Sequence, residues 1–375
     1  SRGADEMFGV NTGDIQMLDS YASAVMLKAA IEKMGGADLV ICGEGSGDMY
    51  NQQVGNILGQ LMGCAVINGV CGIAAFEDHL VVERKLESGA EEMEIKLPAV
   101  ISVTSDVNLP RIANFKEIMA AGKKPFTVWS AKELRVRGGK HSRARADGTQ
   151  EYDILRGRRG NGAQALQRDS KTGIGEQAMK KLKSVWVISD RHESLGELCA
   201  GARSLGENTA LLGAGEKGSL LGCDTLFYFG DVSSDRRWTD YIDSMIALAM
   251  EKRPCLVLTD GGKNARLAAG RIAAAMGTSA ISDVSEVEIT ESGVQIKRLV
   301  YGGAAVLTAR IKTETAVLCM SAGAFEAQAL SAAAEVIEVP YTAPAAEIKC
   351  LELKSVEGAK VNLPAAKRVI GVGRG

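Results

Sequence analysis

The sequence predicts an α/β protein made of two related, doubly wound domains with mostly parallel sheets. The first observation is a repeat, because the stretch at residues 37–70 recurs in outline at residues 254–284. In both copies a short apolar run enters a glycine-rich loop, and the helix that follows ends at a glycine, Gly63 or Gly277. The copies lie about 215 residues apart, far beyond the period of about 20–50 residues of solenoid repeats, so they indicate two homologous domains.

The second observation is that the similarity continues past the helix. Residues 82–86 match residues 295–299, and residues 98–104 match residues 315–321. The third is that helix-like and strand-like segments alternate with short connections, which is typical of a parallel, doubly wound sheet. In such sheets ligands bind at the loops that follow the carboxyl ends of the strands.

The elements of the first half follow from hydrophobic periodicity. Its first helix carries apolar residues at helical spacing and ends at two glycines, which is a C-cap signal. Its last strand is apolar throughout, as central strands are. The predicted elements are helix 20–34, strand 39–42, helix 52–62, a hairpin of strands 79–86 and 91–97, strand 98–104 and a short helix around 115–119.

The second half repeats this alternation after a segment of different composition. An apolar run restarts the pattern, and amphipathic helices separate the strands that follow. The predicted elements are strand 185–189, helix 195–204, strands 209–212 and 225–229, helix 238–252, the second copy of the repeat, and strands 294–299, 301–310, 315–320 and 349–354.

Composition excludes several classes of protein. The chain has 375 residues, of which 46% are hydrophobic and 24% charged, as in ordinary soluble globular proteins. A net charge of -2 argues against a protein that binds nucleic acid as a whole. No run approaches the ~18 apolar residues of a membrane span, and the N-terminal residues show no signal-peptide pattern. We therefore expect neither nucleic-acid binding nor membrane insertion.

Cysteine and histidine usage predicts neither a metal site nor a histidine-based catalytic triad. The eight cysteines form no CxxC pair, and most lie in apolar runs, so we interpret them as buried free thiols in a reducing cytoplasm. The three histidines have no partner at ligand spacing.

The loop of the first repeat is the candidate ligand site. Its three glycines let backbone N–H groups approach a phosphate, and the following helix N-terminus adds a partial positive charge. Asp48 can accept from a ribose hydroxyl, and the amides of residues 51–53 can donate to phosphate oxygens. The alternative, that the loop is only a turn, has equal weight. The corresponding loop at 260–266 lacks counterparts of Asp48, Gln52 and Gln53, which favours a contact between domains over a ligand site.

Two further segments have ambiguous patterns. Ile112 and Phe115 follow Pro110 on a predicted loop, and they either pack on the domain, which their apolar character alone favours, or remain exposed for docking. Residues 135–183 are rich in basic residues, Gly and Ser. Because the segment has almost no aromatic residues for base stacking, it indicates a solvated linker rather than an RNA-binding arm.

Taken together, these motifs resemble an electron transfer flavoprotein with a beta-subunit-like part fused to an alpha-subunit-like part. The beta-like motifs are CGEGSGD at 42–48, QVG at 53–55, LPAVI at 97–101, NLPR at 108–111, IM at 118–119 and KKP at 123–125. The alpha-like motifs are NARLA at 264–268, Gly277, SDV at 282–284, RLVYGG at 298–303 and GAF at 323–325.

The resemblance implies Rossmann-like domains, similar to those of the adenine nucleotide alpha hydrolases. It implies a beta-like domain at 1–134, whose N-terminal part is absent, a basic linker at 135–183, and an alpha-like first domain at 184–353. Residues 354–375 would begin an FAD-binding domain that is truncated here. The two parts would behave as an intramolecular beta/alpha pseudo-heterodimer.

The resemblance also implies ligands. The beta-like loop would bind AMP, or a second FAD, and Arg374 would lie near the diphosphate of the main FAD. The loop departs from the family pattern at Tyr50 and Asn51. The residues assigned to the nucleotide are Gly43, Glu44, Gly45, Ser46, Gly47, Asp48, Asn51, Gln52, Gln53 and Val54.

The resemblance implies an electron carrier rather than an enzyme, with no catalytic residue in this chain. Its partner would be an acyl-CoA dehydrogenase-type flavoenzyme, and the electron acceptor is unknown. Partner docking is assigned to Arg111, Ile112, Lys123 and above all Phe115, which occupies the place of the family's anchoring leucine. Two alternatives stay open: an adenine-nucleotide-binding module without a redox role, and a purely structural interaction protein.

Overall fold

The computed structural model describes residues 2–12, 18–86, 89–134, 150–156, 181–233, 236–291, 293–331, 333, 335–355, 368 and 370, with the backbone alone at 150–156 and 355. Within these residues no helix is long and apolar enough to cross a membrane.

The first domain is built on a six-stranded sheet with the order β18-β5-β4-β3-β6-β2. Strands β2, β6 and β3 are parallel, and the other pairings are antiparallel. Strands β1 and β7 form a separate parallel pair. The elements are β1 (Met7–Asn11), α1 (Ser20–Met34), β2 (Leu39–Gly43), α2 (Val54–Met62), β3 (Ala65–Ala75), β4 (His79–Leu86), β5 (Gly89–Lys96), β6 (Ala99–Val103), α3 (Phe115–Ala121), β7 (Phe126–Ser130) and, from the end of the chain, β18 (Ile348–Ser355).

The second domain is built on a ten-stranded sheet with the order β17-β11-β10-β9-β12-β16-β13-β14-β15-β8. The strands from β17 to β13 are parallel, and β14, β15 and β8 extend the sheet antiparallel. The elements are β8 (Gln150–Arg156), β9 (Val185–Ile188), α4 (His192–Leu205), β10 (Thr209–Gly213), β11 (Thr225–Tyr228), α5 (Ile242–Lys252), β12 (Leu256–Thr259), α6 (Lys263–Met276), β13 (Ala280–Thr290), β14 (Gly293–Val300), β15 (Ala305–Ile311), β16 (Ala316–Met320) and β17 (Glu335–Glu338).

The predicted fold class is confirmed, because both domains are α/β and both contain a parallel core. In the second domain α4 packs on one face of the sheet, whereas α5 and α6 pack on the other. Both sheets contain more antiparallel pairing than the sequence predicted. In the first sheet three of the five strand pairings are antiparallel.

Glycine caps explain the ends of the repeated helices. Helix α2 ends at Gly63 and α6 at Gly277, and both glycines have the left-handed backbone (φ 68° and 69°) that residues with a Cβ avoid. The start of α1 is fixed by Asp19, whose carboxylate accepts a hydrogen bond of 2.8 Å from the backbone N–H of Ala22. These caps fix the first residue of α1 and the last residues of α2 and α6.

The structure corrects the residue-by-residue match between the two repeats. Strands β4 and β14 share one alternation of buried and exposed residues, which places Arg84 opposite Arg298 in the comparison. Matching residues 82–86 with 295–299 had instead paired Arg84 with Lys297. Successive side chains of a strand point to opposite faces, so a match that is wrong by one residue pairs a buried position with an exposed one. The match of Arg84 with Arg298 pairs two buried arginines.

Strands β8 and β18 have positions in the sheets that the sequence did not predict. Residues 150–156, inside the predicted linker, form β8 and pair with β15. Strand β18, predicted as a strand at the end of the second half, pairs with β5 of the first sheet. The second half of the chain therefore contributes a strand to the first domain.

The two domains contact each other through their repeats. Helices α2 and α6 pack together, and they approach closely at Gly270, where an added Cβ would lie 2.4 Å from Gln53 Oε1. All eight cysteines are free thiols, of which Cys199, Cys223 and Cys319 are buried and the other five are partly buried.

Candidate functional site

The candidate site is a cavity of about 510 Å³ at the carboxyl end of β2. It lies where the loop at 43–53 joins this strand to the N-terminus of α2, which is the position expected for ligands of doubly wound sheets. Its volume lies within the range of about 300–1,000 Å³ that is typical of small-ligand sites. The lining residues are Leu18, Ser20, Ser23, Leu27, Cys42, Gly43, Glu44, Gly45, Ser46, Asp48, Met49, Asn51, Gln52, Gln53, Val54, Gly55 and Ser102.

The structure brings nearly all of the predicted nucleotide residues together. Of the ten, only Gly47 does not line this cavity. The sequence reasoning missed Ser102 and the residues at the start of α1. Ser102 had a usable signal, because it lies at the carboxyl end of β6, the parallel neighbour of β2. The approach of α1 had none, since nothing in its sequence specifies which loop it lies beside.

The acidic groups of the loop are held in defined positions. Asp48 accepts a 2.6 Å hydrogen bond from the backbone N–H of Met49, and its pKa is lowered chiefly by a hydrogen bond from Ser46. Glu44 accepts a hydrogen bond of 3.2 Å from the Tyr50 hydroxyl. Burial, together with this carboxylate, raises the pKa of Tyr50. Asp48 is therefore a carboxylate at neutral pH, suited to accepting from a ligand hydroxyl.

Asn51 joins the two domains as well as lining the cavity. Its amide nitrogen donates to Ser20 Oγ (2.7 Å) and to the carbonyl of Ala280 (2.8 Å). Its amide oxygen accepts from the Ser282 N–H and from Arg298 Nη1, both at 2.8 Å. These four bonds fix the amide, so the contribution of Asn51 to the site is mainly to orient the loop.

Gln53 has a similar structural role. It is fully buried, and its amide nitrogen donates to Ser282 Oγ across the domain boundary (3.2 Å). Its amide oxygen accepts from Asn56 Nδ2 (3.2 Å), which also donates to the carbonyl of Arg266. Of the three predicted amide donors, Asn51 and Gln53 are thus engaged across the domain boundary, which makes Gln52 the candidate donor to a ligand.

An arginine of each domain also donates hydrogen bonds to the other domain. Arg84 of the first domain donates to the side-chain oxygen of Asn264, in the first turn of α6. Arg298 of the second domain donates to Asn51 and to the carbonyl of Met49 (2.6 Å). Each repeat therefore supplies a buried arginine to the helix or loop of the other. The loop at 260–266 takes part in these contacts, as its composition predicted.

The segment predicted for docking is exposed. Phe115 is 78% and Ile112 is 89% exposed, and Arg111 and Lys123 also lie at the surface. Helix α3 begins with a capping box at Asn114, so its conformation is fixed although it buries no residue. The exposed large apolar residues of this segment are Leu109, Ile112, Phe115, Ile118 and Met119.

Some predicted features lie outside the described residues. Arg374 and most of residues 354–375 lie outside the described part of the chain, as does most of the predicted linker. Among the residues that are described, no group of three His, Cys, Asp or Glu side chains is arranged to hold a metal ion.

A comparison with protein families assigns the chain. The model of the electron transfer flavoprotein domain matches residues 1–134 and 186–344, which together make up more than half of the chain. Members of this family are electron carriers rather than enzymes, generally bind FAD and AMP, and typically have dehydrogenases as partners. Both matched segments contain one copy of the α/β repeat. The chain belongs to the electron transfer flavoprotein family.

Proposed function

We propose that this chain is the scaffold of an electron transfer flavoprotein, which carries electrons from acyl-CoA dehydrogenase-type flavoenzymes by way of FAD. FAD supplies the redox chemistry when it is bound. The described residues contribute the partner-docking segment and an adenine-nucleotide site. The observation that carries the proposal is the exposed apolar segment at 109–119, because exposed apolar clusters on a fixed backbone are typical of protein interaction sites.

The docking role predicts the effect of a single substitution. Phe115→Asp should weaken binding to an immobilised acyl-CoA dehydrogenase by about tenfold or more, since loss of a central aromatic anchor costs about 2 kcal/mol. Biolayer interferometry measures this directly. The melting temperature should not change, because α3 buries no residue.

Val336→Asp is the matched control, since Val336 is an exposed apolar residue on β17 of the second domain. It should leave dehydrogenase binding intact. If Phe115→Asp and Val336→Asp bind the dehydrogenase equally well, the segment at 109–119 is not the docking site.

We also propose that the cavity beside the loop at 43–53 binds AMP. The base fits against Leu18 and Leu27, and Asp48 accepts from the ribose. Gly43 lines the cavity, and an added Cβ there would have no heavy atom of the described residues within 4 Å. Gly43→Leu should therefore fill the cavity without a clash at Cβ. We expect it to weaken AMP binding by about tenfold or more, which corresponds to about 1.4 kcal/mol.

Isothermal titration calorimetry of the full chain with AMP tests this prediction. Gly218→Leu is the control, because Gly218 also has open space around its Cβ position but lies in the second domain, away from the cavity. Unchanged AMP affinity in Gly43→Leu would place the nucleotide elsewhere.

The alternative function is an adenine-nucleotide-binding module without a redox role. The size and position of the cavity favour nucleotide binding but do not require a flavin. Saturable AMP binding, combined with no dehydrogenase binding by the wild-type chain, would favour this alternative over the electron carrier.

A further inference from the structure

The nucleotide cavity continues into the cleft between the two domains. A second cavity of about 190 Å³ shares Glu44, Gln52 and Ser102 with the first. Its remaining walls come from both repeats, with Gly69 on the bulge of β3 and Gly261 at the end of β12. Space for a ligand therefore extends from the first domain to the N-terminus of α6.

The polarity of this combined space changes along its length. The end at α1 contains the apolar side chains of Leu18 and Leu27, whereas the inter-domain end contains the cationic side chains of Lys263 and Arg266. Glu44 lies at the junction, and a carboxylate in this position suits a ribose hydroxyl. A bound nucleotide would thus place its base at α1 and its phosphates toward α6.

Lys263 is positioned by packing. Its aliphatic part covers Gly69 so closely that a Cβ on this glycine would lie 2.8 Å from Lys263 Cε. Its ammonium group donates to the carbonyl of Lys85. An ammonium group has three N–H donors, so Lys263 can keep this bond and also donate to a phosphate oxygen.

Arg266 is oriented by two bonds. Its Nε donates to the carbonyl of Gly261 (2.8 Å), and its Nη2 donates to Asp283 (2.7 Å). Both cations lie in the first turn of α6, where the helix dipole also favours an anion. Because Arg266 is tied to Asp283, Lys263 carries the charge that is less compensated within this cavity.

We propose that the inter-domain cavity is a second phosphate subsite, so that the chain prefers a nucleoside diphosphate to a monophosphate. Lys263 donates to the terminal phosphate, and Arg266 supports it from the same helix turn. The inference rests on nucleotide binding in the larger cavity, proposed above, and adds that the second domain selects the length of the phosphate chain.

The test is calorimetric titration of the full chain with adenosine, AMP and ADP. In the wild type, ADP should bind about tenfold more tightly than AMP, because a hydrogen bond to a charged group is typically worth at least this factor. Lys263→Met keeps the aliphatic packing on Gly69 but removes the charge. It should bring the affinities for ADP and AMP to within about twofold while leaving adenosine binding unchanged.

Two control variants separate charge from structure. Lys263→Arg should retain the preference for ADP, since it restores a cation at the same position. Lys297→Met removes a lysine of β14 that pairs with Glu286 (3.0 Å), outside the cavity, and should also retain it.

The outcomes distinguish this inference from the one on which it rests. Equal wild-type affinities for AMP and ADP, or an unchanged preference in Lys263→Met, overturn the phosphate subsite alone. No binding of any of the three ligands overturns both the subsite and the nucleotide site.

Discussion

Arg84→Met is expected to lower the free energy of unfolding by about 3–5 kcal/mol, the range found when one partner of a buried ion pair is removed. Arg84 is 2% exposed, and its Nε donates to Glu91 Oε2 at 2.8 Å. Burial lowers the pKa of this guanidinium, and the Glu91 carboxylate opposes the shift. Without the arginine, Glu91 keeps a buried charge, and the side-chain oxygens of Asn68 (3.1 Å) and Asn264 each lose a donor.

Urea unfolding followed by circular dichroism measures this loss. Lys85→Met is the matched control, because Lys85 is the next residue on β4 and its side chain is 63% exposed. It should change stability by less than about 0.5 kcal/mol. Combining Arg84→Met with Glu91→Leu should recover part of the loss, since it removes the orphaned carboxylate. A loss below about 1 kcal/mol in Arg84→Met would contradict the structural role of this pair.

Gly270→Val is expected to lower the free energy of unfolding by about 1–3 kcal/mol through overpacking. An added Cβ at this position would lie 2.5 Å from Asn56 Cβ and 2.4 Å from Gln53 Oε1. Since both neighbours belong to the start of α2, the two helices must move apart. The hydrogen bond from Gln53 to Ser282 across the domains would then be strained or lost.

The same unfolding experiment tests this prediction with a graded series. Gly270→Ala should be less destabilising than Gly270→Val but still measurable, because the Cβ atom itself is in conflict. Gly218→Val should be nearly neutral, as its added Cβ would have open space within 4 Å among the residues that the structure describes. Equal stability of Gly270→Val and the wild type would show that α2 and α6 are not held at this close distance.

The fold was predictable from sequence where local patterns specify it. The repeat, the apolar strands and the glycine C-caps at Gly63 and Gly277 are local signals, and each corresponds to an observed element. The residue-by-residue correspondence between β4 and β14 was not predictable, because an arginine in a strand sequence suggests an outward-facing residue. The burial of Arg84 depends on its hydrogen-bond partners, which are distant from it in the sequence.

The pairings of strands that are distant in sequence were also not predictable from the sequence. Strand β8 is polar at several positions, and only its ladder with β15 makes it a strand. Strand β18 was predicted as a strand, but its partner in the first sheet depends on the path of the whole chain.

The candidate site was predictable as a loop but not in the role of each side chain. The glycines and the strand-to-helix junction indicated the place, and nine of the ten residues named there line the cavity. The amides of Asn51 and Gln53 looked like ligand donors because their partners, Arg298 and Ser282, lie in the other domain. Contacts between domains cannot be recognised from one stretch of sequence.

The position of β18 has a consequence for how the two halves stay together. Residues 339–347 carry the chain from β17, the outer strand of one sheet, to β18, the outer strand of the other. The halves belong to one chain, so their reassociation after a transient separation is unimolecular in any case, and this short connection raises their effective concentration, which is typically millimolar for short tethers. Dilution cannot drive the halves apart. The same strand covers the edge of β5, which would otherwise offer unpaired backbone groups to another molecule.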